Sequence, residues 1–327
     1  MNAKRIGVVL KILMTVGGLA VCTAATAQAW PLRPVTIVVG TPPGGGFDAY
    51  ARTIIDRLSR GLGQQVLVDN KPSAAANLSA EYVAKTAADG YTLLVGSAAL
   101  MEINPLTFSD LRWKPADFKP IIKGVEAPLV FVIHPKIPAR NFAQFAAWLK
   151  SNRGMIAYAS FSPGTPSHFL GYKLNERLAA EMVHVPYKGS GPQVNDLLGG
   201  HVLLGFTQVQ TALPHVKAGK LIALGTTGAA RYPSMPDVAT FEELGEKDLT
   251  ATIWFGLFAP AAVPDPVYRR LVEAARAAHA DPETRAALER QGFQVSGETE
   301  PEFSAGIRAR SERWAGIIKA TGFKSQE

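Results

Sequence analysis

The chain has 327 residues, of which 47% are hydrophobic and 19% charged, and its formal net charge is +7. This length suffices for two domains with separate cores, and this composition excludes an intrinsically disordered protein. The basic surplus is small and spread along the sequence, which argues against a nucleic-acid-binding protein.

The first 29 residues have the pattern of a cleaved secretory signal peptide. Lys4, Arg5 and Lys11 precede an apolar stretch, and Ala27 and Ala29 supply the small residues that a signal peptidase requires. The apolar stretch has about fourteen residues, fewer than the roughly 20 that span a bilayer as a helix. We therefore expect export to the periplasm and a mature chain that begins near residue 30.

The signal contains the single cysteine, Cys22, so the mature chain has no disulfide. The residues before Cys22 also resemble a lipobox, which leaves a lipoprotein anchor as an alternative, although Val21 is large for that position. Cleavage leaves 31 of the 34 basic residues against 27 acidic ones. This mild surplus is compatible with an acidic ligand.

Strands and helices alternate in the first part of the mature chain in the order that favours a parallel sheet. Short β-branched runs indicate strands, and apolar residues at helical spacing indicate helices. The predicted strands are 35–39, 65–68 and 91–96, and the predicted helices are 48–62 and 77–87.

A second α/β series follows the apolar run 128–133. Its predicted strands are 155–159, 182–185, 202–206 and 221–226, and its predicted helices are 141–151, 166–178, 191–198 and 211–218. Two amphipathic helices, 266–291 and 301–320, then flank a short strand at 293–296. The sequence therefore predicts two α/β units in series, with helices at the end.

A glycine-rich segment, PPGGGFDAYAR, connects the first strand to the first helix, and residues 42–48 of it are the first loop. It matches the dinucleotide-binding pattern G-x-G-x-x-A from Gly44, and Asp69 closes the next strand, where a ribose-binding acid would lie. The two prolines oppose this interpretation because they stiffen and lengthen a turn that normally opens directly from the strand. An exported nucleotide-dependent enzyme is therefore the second hypothesis.

The second loop, ASFSPGTPSH (residues 159–168), also lies between a strand and a helix. Unpaired N–H groups and the helix dipole favour negative charge at a helix N-terminus. Capping of the helix is the alternative role for Thr165 and Ser167. Two such loops in successive α/β units favour an anion held between them.

Catalytic and metal-binding signatures do not occur in the sequence. The phosphate-loop, zinc-protease and nucleophile-elbow motifs are missing, and no two of the six histidines are four residues apart. We therefore expect neither an enzyme nor a bound cofactor or metal. His168 is the histidine of interest because it ends the second loop.

Eight motifs resemble, in order, those of the tripartite tricarboxylate transporter substrate-binding proteins, also called Bug receptors. They are WPLRPVTIVV from Trp30, PPGGGFDAYAR from Pro42, LGQQVLVDNKP from Leu62, AADGYTLLVGS from Ala87, INPLTF from Ile103, VHVPYKGSGPQVNDLLGGHV from Val183, LPHVKAGKLIALGTT from Leu213 and WFGLFAPAAVPDPV from Trp254.

The resemblance implies a two-lobed α/β periplasmic binding protein of type II, each lobe a mostly parallel sheet flanked by helices, with two hinge segments. Such a protein closes on a small organic carboxylate and delivers it to a membrane permease. We expect lobe 1 to comprise 30–130 and 228–327, lobe 2 to comprise 131–227, and the protein to be a monomer. A sensor that passes its closed form to a signalling partner is the third hypothesis.

In the resembled family, backbone amides and hydroxyls of the two loops hold the carboxylate. The residues that carry over are Pro43, Gly44, Gly45, Asp48, Ser162, Gly164, Thr165 and Ser167. Asp48 has two possible roles, capping of its helix or opposition to a cationic group of the ligand.

Three more residues are added to the predicted ligand site. Ser97 follows the third strand, and Phe47 and Phe161 are candidates for an apolar wall. Phe47 and the segment 161–163 depart from the family pattern, which predicts a bulkier or aromatic carboxylate.

Overall fold

Ten strands lie in one continuous sheet in the computed structural model, which describes residues 30–324; the predicted signal peptide lies outside the described residues. The strands are β1 (Val35–Val39), β2 (Val66–Asn70), β3 (Thr92–Ser97), β4 (Phe118–Ile133), β5 (Ala157–Ser160), β6 (Val183–Pro186), β7 (Leu204–Gln208), β8 (Ile222–Thr226), β9 (Thr252–Pro260) and β10 (Gln294–Glu298). Their order is β2-β1-β3-β9-β4-β7-β5-β6, and β8 and β10 also pair with β4.

Ten α-helices flank this sheet in the described part of the chain. They are α1 (Gly46–Leu62), α2 (Asn77–Ala84), α3 (Asn104–Thr107), α4 (Phe142–Ser151), α5 (Pro166–Leu178), α6 (Ser190–Gly199), α7 (Val209–Lys217), α8 (Asp265–Ala280), α9 (Pro282–Arg290) and α10 (Glu302–Thr321). A π-helical turn, Ala99–Ile103, precedes α3.

Local sequence explains the β1–α1 unit that carries the first loop. The five residues of β1 are VTIVV, and the strand lies between β2 and β3 in parallel register. Helix α1 buries Tyr50, Ile54 and Leu58, which are four residues apart and share one face. The helix ends at Gly63, whose φ of 72° is the left-handed conformation of a glycine C-cap.

The long strand β4 belongs to both halves of the sheet. It pairs with β9 and β10 over its first part and with β7 and β8 over its last residues. All these pairs are antiparallel, whereas β1 with β2 and β3, and β5 with β6 and β7, are parallel. The α/β class is confirmed, but the sheet is mixed rather than mostly parallel in each half. The bounds of the two lobes remain a prediction.

Several elements differ from the sequence-based expectation. Strand β9 and the first part of β4 are not predicted, because nearly all their residues are buried and they have no alternating pattern. The predicted helix 266–291 is two helices, since Pro282 lacks an amide hydrogen and the Asp281 carboxylate accepts the Thr284 N–H at 2.9 Å, which starts α9.

Gly124 in β4 allows a buried hydrogen bond to form. The Tyr50 hydroxyl and His279 Nε2 are 3.0 Å apart, and a Cβ at position 124 would overlap both atoms. Gly124→Ala is therefore expected to lower the free energy of unfolding by about 2–4 kcal/mol, measured by urea denaturation. Gly316→Ala is the matched control, because Gly316 is exposed in α10 with open space around it. Equal midpoints for the two variants would contradict this account.

Candidate functional site

The two predicted loops lie at the carboxyl ends of β1 and β5, and each runs into a helix, α1 or α5. Ligands of open α/β sheets bind outside the carboxyl ends of the strands. Ser97, the last residue of β3, lies at the same edge because β3 is parallel to β1. The predicted site residues are thus all at strand ends or in the first turns of the following helices.

The first loop uses two of its amides internally. Gly44 has a φ of +84°, and its N–H donates to Asp48 Oδ2 at 2.9 Å, while the Gly45 N–H donates to the Pro42 carbonyl at 3.2 Å. The next three N–H groups, of residues 46–48, donate to no protein acceptor within residues 30–324. The unused donors of the first loop are therefore those of the first turn of α1.

Asp48 holds the first loop in place. Its side chain is buried and accepts hydrogen bonds at 2.9 Å from Arg52 Nε, from the Gly44 N–H and from Asn70 Nδ2. Burial acts to raise the pKa of Asp48, but the hydrogen bonds from Arg52, Gly44 and Asn70 outweigh it and lower the pKa. Both carboxylate oxygens are engaged within the protein, which favours the structural role of Asp48 over a contact with a cationic ligand group.

Phe47 packs against the buried ring of Phe255, and Ser97 pairs with Phe255 across the sheet. The Phe47 and Phe255 ring centroids are 4.7 Å apart, and Ser97 is opposite Phe255 in the β3–β9 register. The Ser97 hydroxyl is 4% exposed and accepts the Leu100 N–H at 3.2 Å. Phe47 therefore contacts the core on one side, and Ser97 supports the π-helical turn.

The second loop turns at Gly164. Gly164 has a φ of +66°, and its N–H donates to His168 Nδ1 at 3.2 Å. A Cβ at this position would lie 3.3 Å from the ring of Phe323, which also packs edge-on against His168 at 4.9 Å. A side chain here would adopt an unfavourable left-handed conformation and crowd the Phe323 ring, so both conformation and space favour glycine.

The hydroxyl groups of the second loop mostly bind the loop itself. Thr165 Oγ1 donates to the Ser162 carbonyl at 2.7 Å, and Ser167 Oγ accepts the Phe161 N–H at 3.2 Å. Thr165, Ser167 and Phe161 are buried, whereas Ser162 is partly exposed. In this structure Thr165 and Ser167 fix the shape of the loop, and Ser162 presents the accessible hydroxyl.

A stacked histidine pair lies beneath the second loop. The rings of His168 and His184 are 3.9 Å apart at 11°, and His184 Nε2 is 2.7 Å from Ser160 Oγ. Burial lowers the pKa of His168 to about 3, with a smaller contribution from His184, and burial lowers the pKa of His184 to about 4. Both rings are therefore neutral near pH 7.

The histidine pair makes stability depend on pH. Because the pKa of each ring lies below its ordinary 6.5 in the folded state, the unfolded chain binds more protons as the pH falls from 6.5. Above pH 6.5 the two neutral histidines make their full contribution to the free energy of unfolding. Below pH 6.5 this free energy declines by up to about 1.4 kcal/mol per histidine per pH unit.

We expect Tm to fall between pH 7 and pH 5, a window in which few carboxylates titrate, and His184→Gln to reduce that slope, to which His168 and the buried His279 still contribute because burial lowers the pKa of both. Thermal unfolding in a pH series measures it. His201→Gln is the control, because His201 has a 74% exposed side chain. An unchanged slope in His184→Gln would refute this assignment.

A series of contacts connects the second loop to the first. The Gly189 N–H donates to the Phe161 carbonyl at 2.7 Å, and the Ser190 hydroxyl donates to Gln208 Oε1 at 3.1 Å. That oxygen lies 3.6 Å from the position of a Cβ on Gly46. The start of α1 is therefore connected to the second loop through Gln208, Ser190 and Gly189.

Gly46 and Gln208 were not among the predicted ligand residues. A signal for Gln208 was present, since it ends a strand whose parallel neighbour carries the second loop. Gly46 belongs to the glycine run of the first loop, where the sequence indicates only its match to the nucleotide-binding pattern.

Within residues 30–324, no group of three or more histidine and acidic side chains has the arrangement of a metal site, and no helix is both long and apolar enough to cross a membrane. A surface cavity of about 370 Å³ contains none of the predicted ligand residues; it is lined by Tyr268, Arg269, Val272, Glu273, Arg276, Thr299 and Glu300.

Sequence comparisons point to one family. A family model described as tripartite tricarboxylate transporter family receptor matches residues 50–323. Protein BugT of Bordetella pertussis is 33% identical over 99% of this chain and 99% of its own length. A UPF0065 protein from the tcbD-tcbE intergenic region of Pseudomonas sp. strain P51 is 34% identical over 92% of this chain and 91% of its own length.

Solved structures give the same result. The periplasmic binding protein BugD is 32% identical, with a TM-score of 0.82 over 91% of this chain and 100% of its own. Rpa4515 of R. palustris with adipate is 29% identical, with a TM-score of 0.84 over 90% of this chain and 99% of its own. MatC of Rhodopseudomonas palustris with bound malate is 29% identical, with a TM-score of 0.78 over 88% of this chain and 100% of its own. These similarities confirm the predicted two-lobed type II class.

Proposed function

Because this chain belongs to the tripartite tricarboxylate transporter receptor family, whose members are periplasmic solute-binding proteins, we propose that it captures a small organic carboxylate between its two loops. It then delivers this ligand to the membrane permease of such a transport system. The mature protein acts as a monomer, without enzymatic activity and without a cofactor. The signal peptide predicted at residues 1–29 directs it to the periplasm.

The observation that carries this proposal is the set of unpaired N–H groups at residues 46–48, beside Gln208, which is connected to the second loop through Ser190 and Gly189. Such donors at a helix N-terminus bind a carboxylate without a basic side chain. Two similar proteins hold carboxylates, adipate in one and malate in the other. Hydrogen bonds to a charged group contribute about 1.5–3 kcal/mol each, so a few of them suffice for a receptor.

Capture proceeds by closure of lobe 2 (131–227) on lobe 1. Strands β4 and β9 pair as far as Pro128 and Thr252, close to the predicted boundary of the lobes, and this supports a hinge at these strands. A ligand that contacts both loops binds the closed form more tightly than the open form, and this difference in affinity shifts the equilibrium. The permease recognises the closed form.

The nucleotide-dependent enzyme is the weaker hypothesis. The amides of Gly44 and Gly45 are bonded within the first loop, and Asp69 forms an ion pair with Lys71 at 3.1 Å, so two key residues of the dinucleotide pattern, Gly44 and Asp69, have internal partners. Absorbance of a bound cofactor in protein purified from the periplasm would favour the enzyme. No observation favours a sensor over a transport receptor.

A thermal-shift screen tests the proposed function. The panel contains mono-, di-, tri- and aromatic carboxylates, amino acids and sugars. A carboxylate is expected to raise Tm, since a ligand at a hundredfold excess over Kd adds about 2.7 kcal/mol of stability. A shift with a sugar alone, and with no carboxylate, would refute the proposal.

A further inference from the structure

Gln208 occupies a position level with the second loop. Strands β5 and β7 are parallel, with Ala159 opposite Gly205, so Gln208 at the end of β7 lies three residues further along, as Ser162 does beyond Ala159. Side chains at the carboxyl ends of adjacent parallel strands share one edge of the sheet. Gln208 therefore belongs to the same edge as the second loop, although it lies at least 40 residues away in the sequence.

The contacts of Gln208 show which atom of its side-chain amide is free to bind a ligand. Its Oε1 accepts the Ser190 hydroxyl at 3.1 Å and lies 3.6 Å from the Cβ position of Gly46. Its Nε2 donates to no protein acceptor in the described part of the chain, and the side chain is half-buried. Since the oxygen is occupied, the amide offers two N–H donors next to the start of α1.

We propose that Gln208 is a specificity-determining residue that donates from Nε2 to a second oxygen-bearing group of the ligand. The first carboxylate lies on the N–H groups of residues 46–48, so this inference rests on the function proposed above. Ser190 positions Gln208 by holding its amide oxygen. The ligand class selected is one with two separated acceptor groups.

The electrostatic surroundings of Gln208 also disfavour a ligand that carries an ammonium group in place of its second carboxylate. The amide N–H donors and the positive end of the α1 dipole both repel a cation. Asp48 does not supply a counter-charge, because both its oxygens accept Arg52 Nε at 2.9 Å. An amino acid of the same length is therefore expected to bind more weakly than a dicarboxylate.

Ligands of the same chain length distinguish a preference for dicarboxylates from binding that needs only one carboxylate. Isothermal titration is carried out with straight-chain dicarboxylates of four to eight carbons and, at each length, with the monocarboxylate and the ω-amino acid. The wild-type protein is expected to bind one dicarboxylate about tenfold or more tightly than its two analogues, the effect of one hydrogen bond to a charged group.

Two variants then assign this preference to Gln208. Gln208→Leu is expected to reduce the affinity for the dicarboxylate to that for the monocarboxylate. The Kd of the monocarboxylate itself should stay within threefold of its wild-type value. Gln208→Glu is expected to reverse the preference toward the ω-amino acid, a gain that misfolding cannot produce. Gln65→Leu, at an exposed glutamine before β2, is the control and keeps the wild-type preference.

The outcomes distinguish this inference from the function on which it rests. A dicarboxylate preference that survives in both Gln208 variants overturns the role of Gln208 and leaves carboxylate capture intact. Equal affinities of the wild-type protein for the monocarboxylate and for every dicarboxylate also overturn the role of Gln208. Failure of every carboxylate to bind the wild-type protein overturns both.

Discussion

Gly46→Val is expected to weaken carboxylate binding by about a hundredfold or more, the loss of two hydrogen bonds to a charged group. A Cβ on Gly46 would lie 3.2 Å from the Phe255 ring and 3.6 Å from Gln208 Oε1. The two methyl groups of valine would therefore occupy the space between the first turn of α1 and Gln208, where we place the carboxylate. Titration calorimetry with the carboxylate found by the screen measures the loss.

The control for this variant is Gly316→Val, the same change at an exposed helical position with open space. It should leave Kd within twofold of wild type. Crowding against Phe255 is expected to cost Gly46→Val about 1–3 kcal/mol of stability, so circular dichroism is needed to confirm that the variant is folded. A folded Gly46→Val protein with a Kd within threefold of wild type would contradict our placement of the ligand.

Arg310→Ala is expected to lower the free energy of unfolding by about 3–5 kcal/mol, the usual cost of leaving one charge of a buried pair without its partner. The Glu102 carboxyl is 1% exposed and accepts Arg310 Nε at 2.7 Å and Trp254 Nε1 at 2.8 Å. Burial raises the pKa of Glu102, and Arg310 opposes that rise. This pair joins α10 to the π-helical turn Ala99–Ile103.

Urea denaturation measures the effect of Arg310→Ala. Arg308→Ala is the matched control, because Arg308 is exposed on the same helix. The double variant Glu102→Gln, Arg310→Leu should recover part of the loss, since it removes the buried charge together with its partner. A loss below about 1 kcal/mol in Arg310→Ala would show that the pair does not secure α10.

Local patterns in the sequence predict the elements around the first loop well. The run 35–39 and the spacing of Ile54, Leu58 and Leu62 depend only on neighbouring residues, and both elements lie where the sequence predicts them. Strand β9 and the first part of β4 are buried on both faces, so they have no alternation that separates a strand from a buried helix.

The candidate site was predicted in part for a similar reason. Helix starts after glycine-rich loops are visible in the sequence, and they lead to residues 42–48 and 159–168. The contact of Gln208 with Ser190 and its approach to Gly46 depend on the pairing of β7 with β5, which brings distant residues together. That Thr165 and Ser167 bind their own loop depends on the turn at Gly164, whose geometry the residue types alone do not specify.

A crystal structure of the protein with the carboxylate identified by the screen tests the central claim most directly. We predict a carboxylate oxygen within about 2.7–3.2 Å of N–H groups of residues 46–48, with the second loop on its other side. A carboxylate bound elsewhere, for example in the surface cavity lined by Tyr268 and Arg276, or one held by a lysine or arginine side chain, would contradict the account.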